Sequence, residues 1–218
     1  MKQRFATIAF IIFCVNLGVE VNMTILEILF AIMWIYILTV LTRSKLDFWK
    51  FCWGSVGFFI LMMLWLQPIA VNPLTKAVAS ISGIIGSLTD MYSSYFQYGM
   101  LFITNHGSSI SLYIDYECSG IIEIMAFTSL LWFFNVYNFF EKLVINIFGF
   151  IWIFIANVLR IFVICALIYF FGNSIFYFAH TIFGRLIFYT FSIILYFFVF
   201  TKSHIIRQKV GNFNYGHN

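Results

Sequence analysis

Three residues lying far apart in the chain, Cys118, Arg160 and His180, have side chains that together could carry out acyl transfer on a peptide. A thiolate is a strong nucleophile, and an imidazole carries protons near neutral pH. A guanidinium keeps its proton, so it suits an oxyanion or a substrate carboxylate rather than base catalysis. Cysteine attack on an amide would give a thioester, with the histidine protonating the leaving amine. The four cysteines, Cys14, Cys52, Cys118 and Cys165, show no CxxC or zinc-type spacing, and neither a metal ion nor another cofactor is expected. Only Cys118 has polar neighbours, in the stretch YIDYECSGII from Tyr113 to Ile122. Asp115 and Glu117 beside it carry the wrong charge to activate a thiolate, so the activating cation must come from elsewhere.

What positions these groups follows from composition. Of 218 residues, 63% are hydrophobic, 22% aromatic and only 9% charged. Soluble domains carry roughly 25% charged residues, so this is a polytopic membrane protein. Thirty Phe and two Pro point to helices with bulky lipid-facing side chains rather than a glycine-rich transporter core. The net charge of +4 implies no nucleic-acid partner, because the basic residues fall in connections. A helix needs about 20 apolar residues to cross a bilayer. Six such segments are expected: Phe5–Val19, Ile25–Leu41, Phe51–Ala70, Gly120–Phe140, Leu143–Tyr169 and Ile182–Thr201. No small-x-small cleavage site follows the first, which therefore reads as an anchor. The expected fold is all-α and polytopic. It is one membrane domain, with three helices in 1–70, an extracytoplasmic segment in 71–117, a three-helix half in 118–201 and a tail in 202–218.

Lys and Arg collect in cytoplasmic loops. With Lys2 and Arg4 inside, alternation puts Arg43, Lys45, Lys50, Lys142, Lys202, Arg207 and Lys209 inside too, nine of the twelve basic residues. Both termini are then cytoplasmic and 71–117 lies outside. Within it, NPLTKAVASISGIIGSLTDMYSSYF has helical spacing and reads as an amphipathic helix in the interface. LFITNHGSSISLYID reads as two short strands around Asn105-His106-Gly107, a hairpin delivering Glu117 and Cys118 to the outer end of the fourth helix. Arg160 lies 18 residues beyond Lys142, about 27 Å along a helix, and so near the outer boundary. His180 falls in the outer connection before the last helix. Thiol, guanidinium and imidazole thus share one depth.

Each residue also has a plainer reading. A cysteine at a helix end is usually inert, and an arginine near a membrane boundary is commonly a snorkelling anchor. His180 could be an ordinary interfacial histidine, while His106 is an alternative base in a turn. Glu123 could pair with Arg160 structurally. Against this, Asn157 stands three residues before Arg160 on the same helical face, a polar patch in an otherwise apolar helix. A helix N-terminus and a nearby cation both stabilise a thiolate. Gly120 leaves room beside the sulfur for a peptide backbone. A non-enzymatic component of envelope polysaccharide assembly or transport remains the alternative class. A membrane acyltransferase using a thioester on Cys118 is a third.

ECSGII at Glu117–Ile122, NVLR at Asn157–Arg160 and HTIFG at His180–Gly184 resemble the exosortase/archaeosortase family of membrane cysteine transpeptidases. The resemblance covers about Leu101 to Thr201; the first three helices carry no matching motif. It implies Cys118 as nucleophile, Arg160 as stabiliser and His180 as general acid and base, with Glu117, Gly120, Asn157 and Gly184 in support. It implies membrane-anchored substrate proteins ending in a short motif, a transmembrane helix and a basic cluster. The substrate would be cut outside the membrane and passed to a lipid or envelope acceptor, with membrane lipids and envelope polysaccharide machinery as partners. Many exosortases look longer, with about eight helices, and this chain is more similar to the short Gram-positive members.

Overall fold

The computed structural model describes residues 25–105, 108–114 and 118–202. The expected first span and the tail beyond Lys202 lie outside the described residues, as do His106, Asp115 and Glu117. Six helices and a small sheet make up the rest. They are α1 (Ile25–Arg43), α2 (Asp47–Trp65), α3 (Gln67–Thr89), α4 (Ile121–Phe133), α5 (Phe139–Phe171) and α6 (Asn173–Lys202). Between α3 and α4 come β1 (Tyr92–Tyr95), β2 (Met100–Asn105) and β3 (Ser108–Tyr113). Four helices, α2, α3, α5 and α6, are long and apolar enough to cross a membrane. The chain is membrane-embedded and mostly helical.

Two of the expected spans break, each for a reason written in the sequence. The third expected span, Phe51–Ala70, breaks at Leu66, because Pro68 in the first turn of α3 cannot continue the preceding helix. The fourth, Gly120–Phe140, stops at Phe133, and Phe134 is extended with ψ 114°. Asn138 then caps α5 with Glu141 three residues on, each side chain bonded to the other's backbone. This is a capping box, which starts a new helix and ends any claim of the old one. With 13 residues, α4 is about 20 Å long, short of the roughly 30 Å of a bilayer core. α5 has 33 residues and reaches well past it, about 50 Å.

The three strands form one antiparallel sheet in the order β1-β2-β3. Tyr92 faces Ile103 and Tyr95 faces Met100, while Met100 faces Tyr113 and Asn105 faces Ser108. Alternation turns Leu101, Ile103 and Leu112 inward, onto Val78 and Ala79 of α3 and Ile161, Ile164 and Ile168 of α5. The expected helix in 71–117 exists, but it begins earlier, at Gln67, and buries its small residues rather than its large ones. Ala79 and Ser82 are wholly buried under the sheet, and a Cβ on Gly83 would run into Ser94. Ile81, Ile84 and Leu88 point away, at 42%, 60% and 79% exposure. A strand lying directly on a helix demands small side chains there, which leaves the bulky apolar face of α3 free for lipid.

Of the polar groups at the helix–sheet contact, Thr75 Oγ1 is buried with no partner among the described residues, whereas Ser82, Tyr92 and Ser94 are matched. The Tyr92 hydroxyl donates to the Ser82 carbonyl at 2.8 Å and lies 3.1 Å from the Ser82 hydroxyl. The Ser94 hydroxyl donates to the Ala79 carbonyl at 2.8 Å. Burial pushes the Tyr92 phenol up to about 12, so it stays a neutral donor at any physiological pH.

Candidate active site

Helices α4 and α5 form an antiparallel hairpin, and its closed end fixes the register. Lys142 is buried and its Nζ donates to the Trp132 carbonyl at 2.7 Å, satisfying one of the free carbonyls at the end of α4. Partway along, the Thr128 hydroxyl donates to Asn146 Oδ1 at 2.9 Å. From Trp132 back to Cys118 and from Lys142 on to Asn157 the two arms cover nearly equal lengths, about 21 and 22 Å. At the open end Asn157 Nδ2 donates to the Cys118 carbonyl at 2.8 Å. Asn157 is fully buried, so this amide ties the cysteine turn to α5.

Cys118 itself precedes α4, in the turn Cys118–Ser119–Gly120. Gly120 is the N-cap at φ 79°, a left-handed conformation that costs other residues roughly 1–2 kcal/mol. A Cβ there would sit 3.5 Å from the Asn157 side chain, an ordinary contact. Conformation, not the space expected from the sequence, is therefore what calls for glycine at 120. The Ile121 N–H donates to the Ser119 hydroxyl at 3.4 Å. The sulfur sits just ahead of the helix N-terminus, where the dipole favours a thiolate.

The three distant residues meet. Cys118 Sγ lies 3.3 Å from His180 Nε2, and Arg160 Nη2 points at the same sulfur from 3.8 Å. Cys118 is 8% exposed and Arg160 6%, while His180 is half-buried. In this setting the sulfur has an imidazole nitrogen within hydrogen-bond reach, a proton acceptor in the tautomer protonated at Nδ1, and a positive charge close by. Both are what a thiolate nucleophile needs.

His180 does not lie in a loop. α6 starts at Asn173, after Gly172, and His180 stands inside it, in a single π-turn spanning Ala179–Phe183. The extra residue in such a turn rotates the following side chains, and π-turns are frequent at functional sites. Two aromatic residues outside the sequence motifs pack against the imidazole and the guanidinium. Phe176 stacks on the imidazole at 6.0 Å between centroids and 6° between planes. The buried Phe188 ring lies 5.8 Å from the Arg160 guanidinium carbon. Phe176 was legible in principle, standing four residues before His180 on a helix face. Phe188 had no signal among thirty phenylalanines. Gly184 ends the π-turn, where a Cβ would press on Ile164 Cδ1 at 2.7 Å, so it sets how closely α6 approaches α5.

A family model described as transmembrane exosortase matches residues 2–198. The chain belongs to that family. No curated protein and no solved structure matches it. At the level of the family, its activity is membrane-embedded transpeptidation of exosortase type.

In this exosortase the ion pair between Glu123 and Arg160 is not formed. Glu123 Oε2 and Arg160 Nε are both buried without a hydrogen-bond partner among the described residues, and so is Asn157 Oδ1. Arg160 thus offers Nη2 to the sulfur with its charge not cancelled by direct contact among the described residues. Among the described residues no cluster of three potential metal ligands occurs.

Proposed function

We propose that this exosortase is a cysteine transpeptidase acting through a thioester on Cys118, with His180 as general acid and base and Arg160 as oxyanion stabiliser. The observation that carries the reading is the sulfur held between His180 Nε2 at 3.3 Å and Arg160 Nη2 at 3.8 Å. His180 Nε2 takes the thiol proton as Sγ attacks the scissile carbonyl. The carbonyl π electrons move to oxygen, and the Arg160 guanidinium binds the resulting oxyanion. As the tetrahedral intermediate collapses the C–N bond breaks, and the His180 proton passes to the leaving amine. An acceptor amine or hydroxyl then attacks the thioester, giving its proton to His180, and the thiolate leaves to recover that proton.

The substrates are membrane proteins ending in a recognition motif, a transmembrane helix and a basic cluster, and the acceptor belongs to a lipid or to envelope polysaccharide. The site faces the extracytoplasmic side and both termini are cytoplasmic. Lys50 lies within electrostatic reach of Lys142, and the contacts of Phe51 and Phe200 with Phe134 bring Lys202 to that same end of the bundle, a gathering of basic residues that supports this orientation. The test joins topology to activity in intact cells. Tyr113→Cys, at a residue 59% exposed on β3, reacts with a membrane-impermeant maleimide, and Ser44→Cys reacts only after permeabilisation. In the same cells, tail-bearing proteins encoded by the same genome lose their tails when the enzyme is present. Labelling in the reverse pattern, or tail loss independent of the enzyme, would overturn the assignment.

A further inference from the structure

The orphaned polar atoms behind the cysteine are complementary in kind. Arg160 Nε is one donor, and Glu123 Oε2 and Asn157 Oδ1 are two acceptors, each buried and without a partner among the described residues. They also converge. Asn157 and Arg160 are three residues apart on one face of α5, with Cβ atoms about 5–6 Å apart. The Asn157 side chain touches Gly120 and the Cys118 carbonyl, at the start of α4. Glu123 stands in the first turn of that same helix and within electrostatic reach of Arg160. A buried guanidinium N–H and a buried carboxylate oxygen left without partners are each unfavourable. A buried water commonly joins about three such groups.

We propose that Glu123 is a positioning residue for Arg160. One buried water accepts from Arg160 Nε–H and donates to Glu123 Oε2 and Asn157 Oδ1. That bridge fixes the guanidinium so that Nη2 faces the Cys118 sulfur. It also keeps the carboxylate from pairing directly with the guanidinium, which would draw Nη2 away from the reaction. Among the described residues, the charged and titratable groups facing the sulfur are His180 from α6 and Arg160 from α5, with Glu123 of α4 within electrostatic reach of Arg160. The inference rests on the reading of Cys118 as a nucleophile served by Arg160.

The test measures alkylation of Cys118 by iodoacetamide against pH in the purified full-length protein, following the Cys118 peptide by mass spectrometry. Glu123→Ala removes the acceptor and frees the guanidinium, so the alkylation midpoint rises by about one pH unit. Glu123→Gln keeps an amide oxygen that accepts the water, and its midpoint stays near wild type. In an Arg160→Ala background, Glu123→Ala gives no further shift. Where Glu123→Ala does not fold, Glu123→Met makes the same comparison at preserved volume. An unchanged midpoint in the variant lacking the acceptor overturns the proposal. So does a fall in both variants, which is the effect of lost negative charge alone, or a shift that persists without Arg160. Alkylation needs no substrate, so positioning can fail here while Cys118→Ala still abolishes processing, and the reverse.

Discussion

Cys118→Ala abolishes tail removal, by about 10⁴-fold or more, with the protein still folded and in the membrane. The size of the effect comes from the chemistry, since the proposed thioester cannot form without the sulfur. His180 and Arg160 would be left facing each other across the missing sulfur. Folding survives because the loss is one atom at a turn held by other bonds. Asn157 grips the Cys118 carbonyl and not its side chain, and Gly120 fixes the turn through its backbone. Turnover of the tail-bearing protein, with thermal unfolding as control, is the measurement. Cys118→Ser is a weaker probe, because a hydroxyl in the same place can sustain slow turnover.

Arg160→Lys retains the charge and loses the reaction, by about 10²- to 10³-fold in kcat, or about 3–4 kcal/mol of transition-state stabilisation. Lysine presents a point charge on a flexible stem, whereas the arginine fork meets the sulfur with Nη2 while its plane lies near Phe188. An ammonium in that buried position also has fewer donors to place, and it is harder to strip of water. The expected split is a fall in kcat with KM little changed, because the oxyanion exists only after attack. A KM effect alone would assign Arg160 to substrate binding instead.

Much of this site could be read in the sequence because helices convert spacing into depth. The count from Lys142 to Arg160 placed the guanidinium at the level of Cys118, and its Nη2 lies 3.8 Å from the Cys118 sulfur. Asn157 was visible as a polar residue on that face, though not its grip on the Cys118 carbonyl. Pro68 and the Asn138–Glu141 capping box were written in the sequence, and both lost to the pull of continuous apolar runs. β1 escaped because YSSY is short and half polar, and its pairing partner lies beyond a turn. The buried face of α3 escaped for a different reason. Large apolar residues usually mark the core, but here lipid and a close-packed strand exchange the roles, so Ser82 and Gly83 go inside and Leu88 goes out. The π-turn that aims His180 depends on tertiary packing against α5, and local sequence carries no sign of it.

The most direct measurement is the mass of the Cys118 peptide in a His180→Ala enzyme incubated with a tail-bearing substrate. Without the imidazole the acceptor loses its general base, so the acyl-enzyme that forms once the pH is high enough to ionise the thiol, with water protonating the leaving amine, drains slowly. The expected result is a Cys118 peptide carrying the N-terminal part of the substrate as a thioester, released by neutral hydroxylamine as a hydroxamate. Substrate cleaved with Cys118 unmodified throughout would contradict it.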